Sequence, residues 1–173
     1  MLRNWSQGFT AGNAAYQLNM LANASIKSVD EDFVSLVGLD IRSIRVLRLI
    51  GDRPGITFAD IVVLAALERS LASRLIQNLV RLGLAERQND ENDARRFGLF
   101  ITTTGKTVRE KADFLSEELT DLLFASFSPD EVSAFMAMMA KLAFWIDSDE
   151  YENKSAEILK AAAVKLEKGR EAV

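Results

Sequence analysis

The chain contains no cysteine and no histidine. The first absence excludes disulfides, thiolate catalysis and thiol redox sensing together. The second removes the commonest metal ligand and the usual general base near neutral pH, which leaves carboxylate and lysine chemistry as the only routes to catalysis. The carboxylates available for it, such as Glu117, Glu118 and Asp121, sit on a helix surface where solvated charge is the ordinary state. Neither enzymatic activity nor a metal or cofactor is expected. No apolar run approaches the roughly 18 residues of a membrane span, and residues 1–16 lack the compact apolar core of a signal peptide, so a cytoplasmic location without membrane contact is expected.

What is present points to a globular chain. With 173 residues, 49% of them apolar, the chain can bury a real core and is short enough for one domain to be the default. The net charge of −4 is unevenly divided. Residues 40–110 hold 12 Lys+Arg against 9 Asp+Glu, a balance of +3, which leaves −7 for the rest. Eleven of the twelve cations are arginine, whose fork suits phosphate and base edges better than an ammonium does. A locally basic reading head on an acidic protein would bind DNA through a restricted footprint.

Helical patterning dominates. Ala15, Leu18, Leu21 or Ala22, Ile26, Val29 and Phe33 recur at three and four, predicting one amphipathic helix over residues 11–36 that Gly38 ends. Asp40 is a good N-cap for a second helix with Ile41, Ile44, Leu47 and Ile50 or Leu49 inside and Arg42, Arg45 and Arg48 outside. Arg53-Pro54-Gly55 stops it. Thr57 can cap a short third helix with Ile61, Leu64 and Ala65 in the core, and Ala66-Leu67-Glu68 connects to the next.

That fourth helix, about 69–82, carries Leu71, Ala72, Leu75, Ile76, Leu79 and Leu82 on one side and Arg69, Ser70, Ser73, Arg74, Gln77 and Arg81 on the other. Serine and glutamine exchange hydrogen bonds with base edges without bulk, and arginine forks onto guanine or phosphate, so this face has the residue mixture of a helix lying in a DNA groove. Gly83 supplies a left-handed turn, 84–87 alternate as a strand, 89–93 form a polar turn, and Phe97, Leu99 and Ile101 return as a second strand. Arg95 and Arg96 stand near the hairpin tip, where an arginine can enter a narrow minor groove; Asp93 can hold its guanidinium. Thr103 or Thr104 is the expected N-cap of the following helix.

That helix runs to Leu123 with Val108, Ala112, Leu115, Leu119 and Leu122 on one face. Ser128 and Glu131 then form a capping box for another. Val132, Phe135, Met136, Met138, Met139, Leu142, Ala143, Phe144, Trp145 and Ile146 are too many for a single packed face, so a partner chain is expected to cover them. Beyond Asp147, Tyr151, Ile158, Ala162 and Leu166 form a modest stripe among Lys and Glu, read either as a further helix lying across a partner subunit or as a charged tail.

The ordered set Gly38-Leu39, Ser73-Arg74-Leu75-Ile76, Leu79, Arg81-Leu82-Gly83-Leu84-Ala85-Glu86-Arg87, Asp93-Ala94-Arg95 and Ile101-Thr102-Thr103-Thr104-Gly105 resembles MarR-family transcriptional regulators. The resemblance implies a fold that is mainly α with a small β-hairpin wing, a winged helix-turn-helix (40–104) flanked by N- and C-terminal dimerisation helices (11–37 and 105–146). Residues 147–173 lie outside it as an extra helix or tail. It further implies a homodimer on a pseudo-palindromic operator in double-stranded DNA, usually repressing until a small ligand intervenes. By residue matches, Arg95 resembles the minor-groove arginine, Asp93 its orienting partner, and Ser73, Arg74 and their neighbours the groove and phosphate contacts. Without Cys or His, a small lipophilic or aromatic effector is the ligand class that remains. The alternative is a winged-helix protein-interaction module that reads no operator.

Overall fold

A computed structural model of the chain describes residues 13–89 and 97–170, together with Ser6 and Phe9. The chain forms two compact units, residues 1–123 and 124–173.

The first unit begins with two helices where the apolar spacing predicts one. Helix α1 (Ala14–Lys27) is capped by Asn13, and α2 (Asp30–Val37) follows after a break at Ser28-Val29. Two interactions hold the break. Asp30, Glu31 and Asp32 fill the first turn of α2, where carboxylates favour a helix start, and Asp30 Oδ1 accepts the Ile41 amide at 3.2 Å. Of the predicted stripe only Phe33 is buried. Gly38, at φ +84°, closes α2.

Helix α3 (Ile41–Asp52) is the centre of this unit. Asp40 caps it by accepting the Ser43 amide at 2.6 Å. Ser43, Ile44, Val46, Leu47 and Ile50 are all buried, so the helix is covered over a wider arc than one stripe. Its large side chains contribute about 1.5–3 kcal/mol each by leaving water. Arg42 and Arg45 are exposed as expected, but Arg48 is not outward. Residues three apart fall 60° short of a full turn, so Arg48 lies about 120° around the helix from Arg42 and faces a neighbour.

That neighbour is α6 (Thr103–Leu123), whose Ala112 is fully buried and whose Val108, Leu115 and Leu119 pack on the core. Leu122 continues the predicted stripe but is 71% exposed, because the stripe outruns the core. The N-cap of α6 is neither Thr103 nor Thr104. Thr102 Oγ1 accepts the Gly105 amide at 3.0 Å and donates to the Gly83 carbonyl at 2.7 Å, while the Thr102 amide donates to the Leu84 carbonyl at 3.1 Å. A contact across 19 residues thus decides which of three consecutive threonines caps.

The second unit pairs α7 (Pro129–Ile146) with α8 (Asp149–Arg170). Ser128 and Glu131 make the expected capping box. Phe124 packs against Phe127 and Phe135 at ring separations of 5.9 and 5.8 Å. No residue of α7 is buried in the single chain, and Met136, Met138, Met139, Leu142, Phe144, Trp145 and Ile146 are all exposed.

Candidate nucleic-acid interface

Helix α4 (Phe58–Leu64) and helix α5 (Arg69–Arg81) form the helix-turn-helix. Thr57 and Asp60 start α4 with a reciprocal capping box, and hydrogen bonds from the Thr57 hydroxyl and amide hold the Asp60 carboxyl below its ordinary value. Ile61 and Ala65 are buried, whereas Leu64, expected in the core, is 43% exposed because it sits 60° off the Ile61 line. The turn is tight. Ala66 takes φ +50°, and the Leu67 amide donates to the Val62 carbonyl at 3.1 Å.

The two sides of α5 separate cleanly. Ala72, Leu75, Ile76 and Leu79 are buried; Arg69, Ser70, Arg74, Gln77 and Arg81 are exposed. Two positions depart from expectation. Ser73 is half-buried at the edge of the face, and Leu82, just past the last turn, is 43% exposed. Several polar side chains are held in place before any ligand arrives. Gln77 Nε2 donates to Ser73 Oγ at 3.0 Å, Arg81 Nη2 donates to Asn78 Oδ1 at 2.7 Å, and the Arg69 guanidinium lies 5.2 Å from the centre of the Phe58 ring. Arg74 has no hydrogen-bond or ion-pair partner among the described residues and stands as a free cation mid-helix.

Beyond Gly83, whose φ of +68° turns the chain, strands β1 (Ala85–Asn89) and β2 (Phe97–Ile101) pair antiparallel with Ala85 opposite Ile101 and Asn89 opposite Phe97. The hairpin base is pinned to the start of the helix-turn-helix. Gly55 donates to the Leu99 carbonyl at 2.9 Å, and Leu99 donates to the Ile56 carbonyl at 3.0 Å. Leu99 itself is fully buried. The connection between the strands is where sequence reasoning places Asp93, Arg95 and Arg96, and all three lie outside the described residues.

Sequence reasoning did not single out Arg87. It is exposed on β1, with its guanidinium 5.0 Å from the centre of the Phe97 ring, which fixes a cation on the hairpin flank. The signal was available as strand alternation, since Arg87 and Phe97 stand two residues out of register across the pair. An ion-pair chain between α3 and α6 was not legible either. Arg48 Nε meets Asp113 at 2.6 Å and its Nη2 reaches the Ala112 carbonyl and Ser116 Oγ; Arg109 bridges Asp113 at 3.2 Å and Asp52 at 2.6 Å. Burial opposes the charge on Arg109, but the hydrogen bonds to Asp52 and Asp113 outweigh it and raise its pKa. Glu117, Glu118 and Asp121, the carboxylates weighed for catalysis, are exposed on α6. No helix among the described residues is long and apolar enough to cross a membrane.

Residues 37–96 match the MarR family model. The HTH-type transcriptional regulator YwhA of Bacillus subtilis (strain 168) is 28% identical over 119 residues, 69% of this chain and 85% of the relative. Among solved structures, the S. aureus MepR–DNA complex superposes with a TM-score of 0.67 at 21% identity, over 77% of this chain and 98% of that one. A MarR/EmrR family transcriptional regulator from Acinetobacter sp. ADP1 gives 0.71 at 21% identity, over 78% and 94%. The helix-turn-helix, the hairpin pinned beside it and these matches agree on one fold, a winged helix-turn-helix similar to that of MarR-family structures, with residues 37–96 resembling the family in sequence.

Proposed function

We propose that the chain acts as a homodimer that reads a pseudo-palindromic operator in cytoplasmic double-stranded DNA, as a repressor whose binding a small effector modulates. The observation that carries this reading is the two-sided α5: a polar, arginine-bearing face free of core duties, beside a hairpin whose base is fixed to the same scaffold. The MepR structure, a complex with DNA, supports the same use. Arg69, Ser70, Ser73, Arg74 and Gln77 would meet the major groove and its phosphates. Arg95 and Arg96 would reach the minor groove, with Asp93 orienting them. The winged helix of 40–104 would be the reading part and the helices of 11–37 and 105–146 the dimerising part.

Dimerisation is supported by α7, whose Met136, Met138, Met139, Leu142, Phe144 and Ile146 stay exposed in the single chain. Two symmetry-related α5 helices would reach successive major grooves about one helical turn apart. The effector reading is supported by a cavity of about 460 Å³ in the first unit, lined by apolar groups including Val29, Phe33, Ile44 and Leu119, with Arg48 among its walls. A lipophilic or aromatic molecule seated there would act by favouring one spacing of the two α5 helices over another.

The test is selection of duplex DNA from a random pool, followed by binding of wild type and Arg95→Ala at several salt concentrations. Enrichment of an inverted repeat, a steep salt slope and a marked loss in the variant are expected. If no sequence is enriched and Arg95→Ala behaves as wild type, operator recognition is wrong and a protein-interaction role takes its place.

A further inference from the structure

Helix α8 presents two unequal sides. One packs on α7: Tyr151 meets the Trp145 ring edge-on at 6.0 Å, Lys154 Nζ lies 5.3 Å from that ring, and Ser155 and Ala162 are half-buried. Beside this line runs a second one, Ala156, Leu159, Ala163 and Leu166, at spacings of three, four and three. No described residue covers it, and Leu159 and Leu166 are 69% and 70% exposed. Two large and two small residues alternating at this spacing form a coiled-coil seam without a partner.

The charge pattern says which partner fits. Residues 149–159 carry Asp149, Glu150, Glu152 and Glu157 against Lys154, a net of −3, and residues 160–170 carry Lys160, Lys165, Lys168 and Arg170 against Glu167, a net of +3. A helix so divided repels a parallel copy of itself and attracts an antiparallel one, where each acidic half lies along a basic half and the helix dipoles also oppose. Antiparallel is the arrangement a twofold axis perpendicular to the helix produces. In that arrangement the seam meets in layers that set a large residue against a small one, as interdigitation requires. A lipid surface fits less well, because its helices favour a cationic polar face and α8 carries five acids against five bases.

We infer that α8 pairs antiparallel with α8 of a second copy, Leu159 opposite Ala163 and Leu166 opposite Ala156. This rests on the homodimer reading and adds to it a contact that sets the relative direction of the two C-terminal helices.

The native chain has no cysteine, so introduced thiols report cleanly. Full-length Ala156→Cys and Leu166→Cys chains carrying different tags are co-expressed, oxidised mildly and separated without reductant, with sedimentation run on the unoxidised sample. The expected product is a disulfide-linked species bearing both tags, in at least tenfold excess over either self-linked species. Self-linked products in excess would mean a parallel pair and overturn the inference. Absence of linkage in a sample that sediments as a dimer would overturn the α8 contact while leaving the dimer standing; a monomer in sedimentation would sink both. As a second measurement, Leu159→Glu with Leu166→Glu should weaken the dimer at least tenfold with helix content unchanged. An unaltered dimer constant would count against the seam.

Discussion

Gly105→Ala should destabilise the first unit although alanine is the better helix former. A Cβ at position 105 would overlap the Leu84 carbonyl oxygen and come within 3.0 Å of the Leu84 carbonyl carbon and 2.8 Å of Ile101 Cγ1. The contacted Leu84 atoms are backbone, immediately before β1, and cannot swing aside like a side-chain tip. The start of α6 must therefore retreat, straining the Thr102 amide bond to Leu84 and the Thr102 hydroxyl bond to Gly83. Overpacking of this kind costs about 1–3 kcal/mol, and weakening two hydrogen bonds costs about 0.5–1.5 kcal/mol each. The better helix propensity returns about 1 kcal/mol. The expected net loss is about 1–5 kcal/mol, a large part of the ordinary 5–15 kcal/mol stability of a domain. Urea unfolding followed by far-ultraviolet circular dichroism measures it, with Gly83→Ala as the internal comparison. There the added Cβ meets nothing within 4 Å and only the left-handed φ is penalised, by about 1–2 kcal/mol. A loss at Gly105 below about 1 kcal/mol, or no greater than at Gly83, would refute the argument that close approach of α6 to Leu84 fixes this joint.

Arg74→Ala should weaken duplex binding at all sequences or relax the preference at one position, with the salt slope shallower by about 1 if its contact is phosphate and unfolding stability within about 0.5 kcal/mol of wild type; affinity equal to wild type would remove Arg74 from the interface. Asp113→Asn takes the shared anion from Arg48 and Arg109, and because these groups are about one-third exposed the loss should be only about 1 kcal/mol, read as a shift in urea midpoint. Both capping carboxyls titrate below their ordinary values of 3.8 for Asp60 and 4.5 for Glu131, lowered by Thr57 and by the Ser128 amide and hydroxyl respectively. Their contribution is therefore fully present above those values and lost as pH falls through the lower folded ones. An Asp60→Asn chain should be less stable than wild type at neutral pH and indistinguishable from it once both are acidified; a difference that persists in acid would mean that charge is not the cause.

Much of the first unit was legible because local chemistry and tertiary structure agree there. Asp40 and Thr57 cap the helices that their spacing announces, as Ser128 does in the second unit, and Gly83 turns where a left-handed residue is needed. Where legibility failed, a distant group made the choice. The apolar spacing runs through Ile26, Val29 and Phe33 without glycine or proline, yet the helix breaks, and Asp30 reaches the Ile41 amide eleven residues on. The sequence pointed to Thr103 or Thr104 as the cap of α6, but the Gly83 carbonyl, nineteen residues away, selects Thr102. Arg42, Arg45 and Arg48 look like one row in sequence, but a spacing of three drifts around the helix and delivers Arg48 to Asp113. In the candidate site, the exposed face of α5 was readable because its polar and apolar positions alternate at helical spacing. The Arg87–Phe97 contact needed the strand register.

The clean division of α5 has an evolutionary consequence. Ser70, Arg74 and Gln77 are exposed and outside the core, while Ala72, Leu75, Ile76 and Leu79 hold the helix in place. Exchanges at the three outer positions should each cost within about 0.5 kcal/mol of stability. After gene duplication, a copy of this chain can acquire a new target by drifting at those positions alone, with the scaffold under no pressure to change alongside.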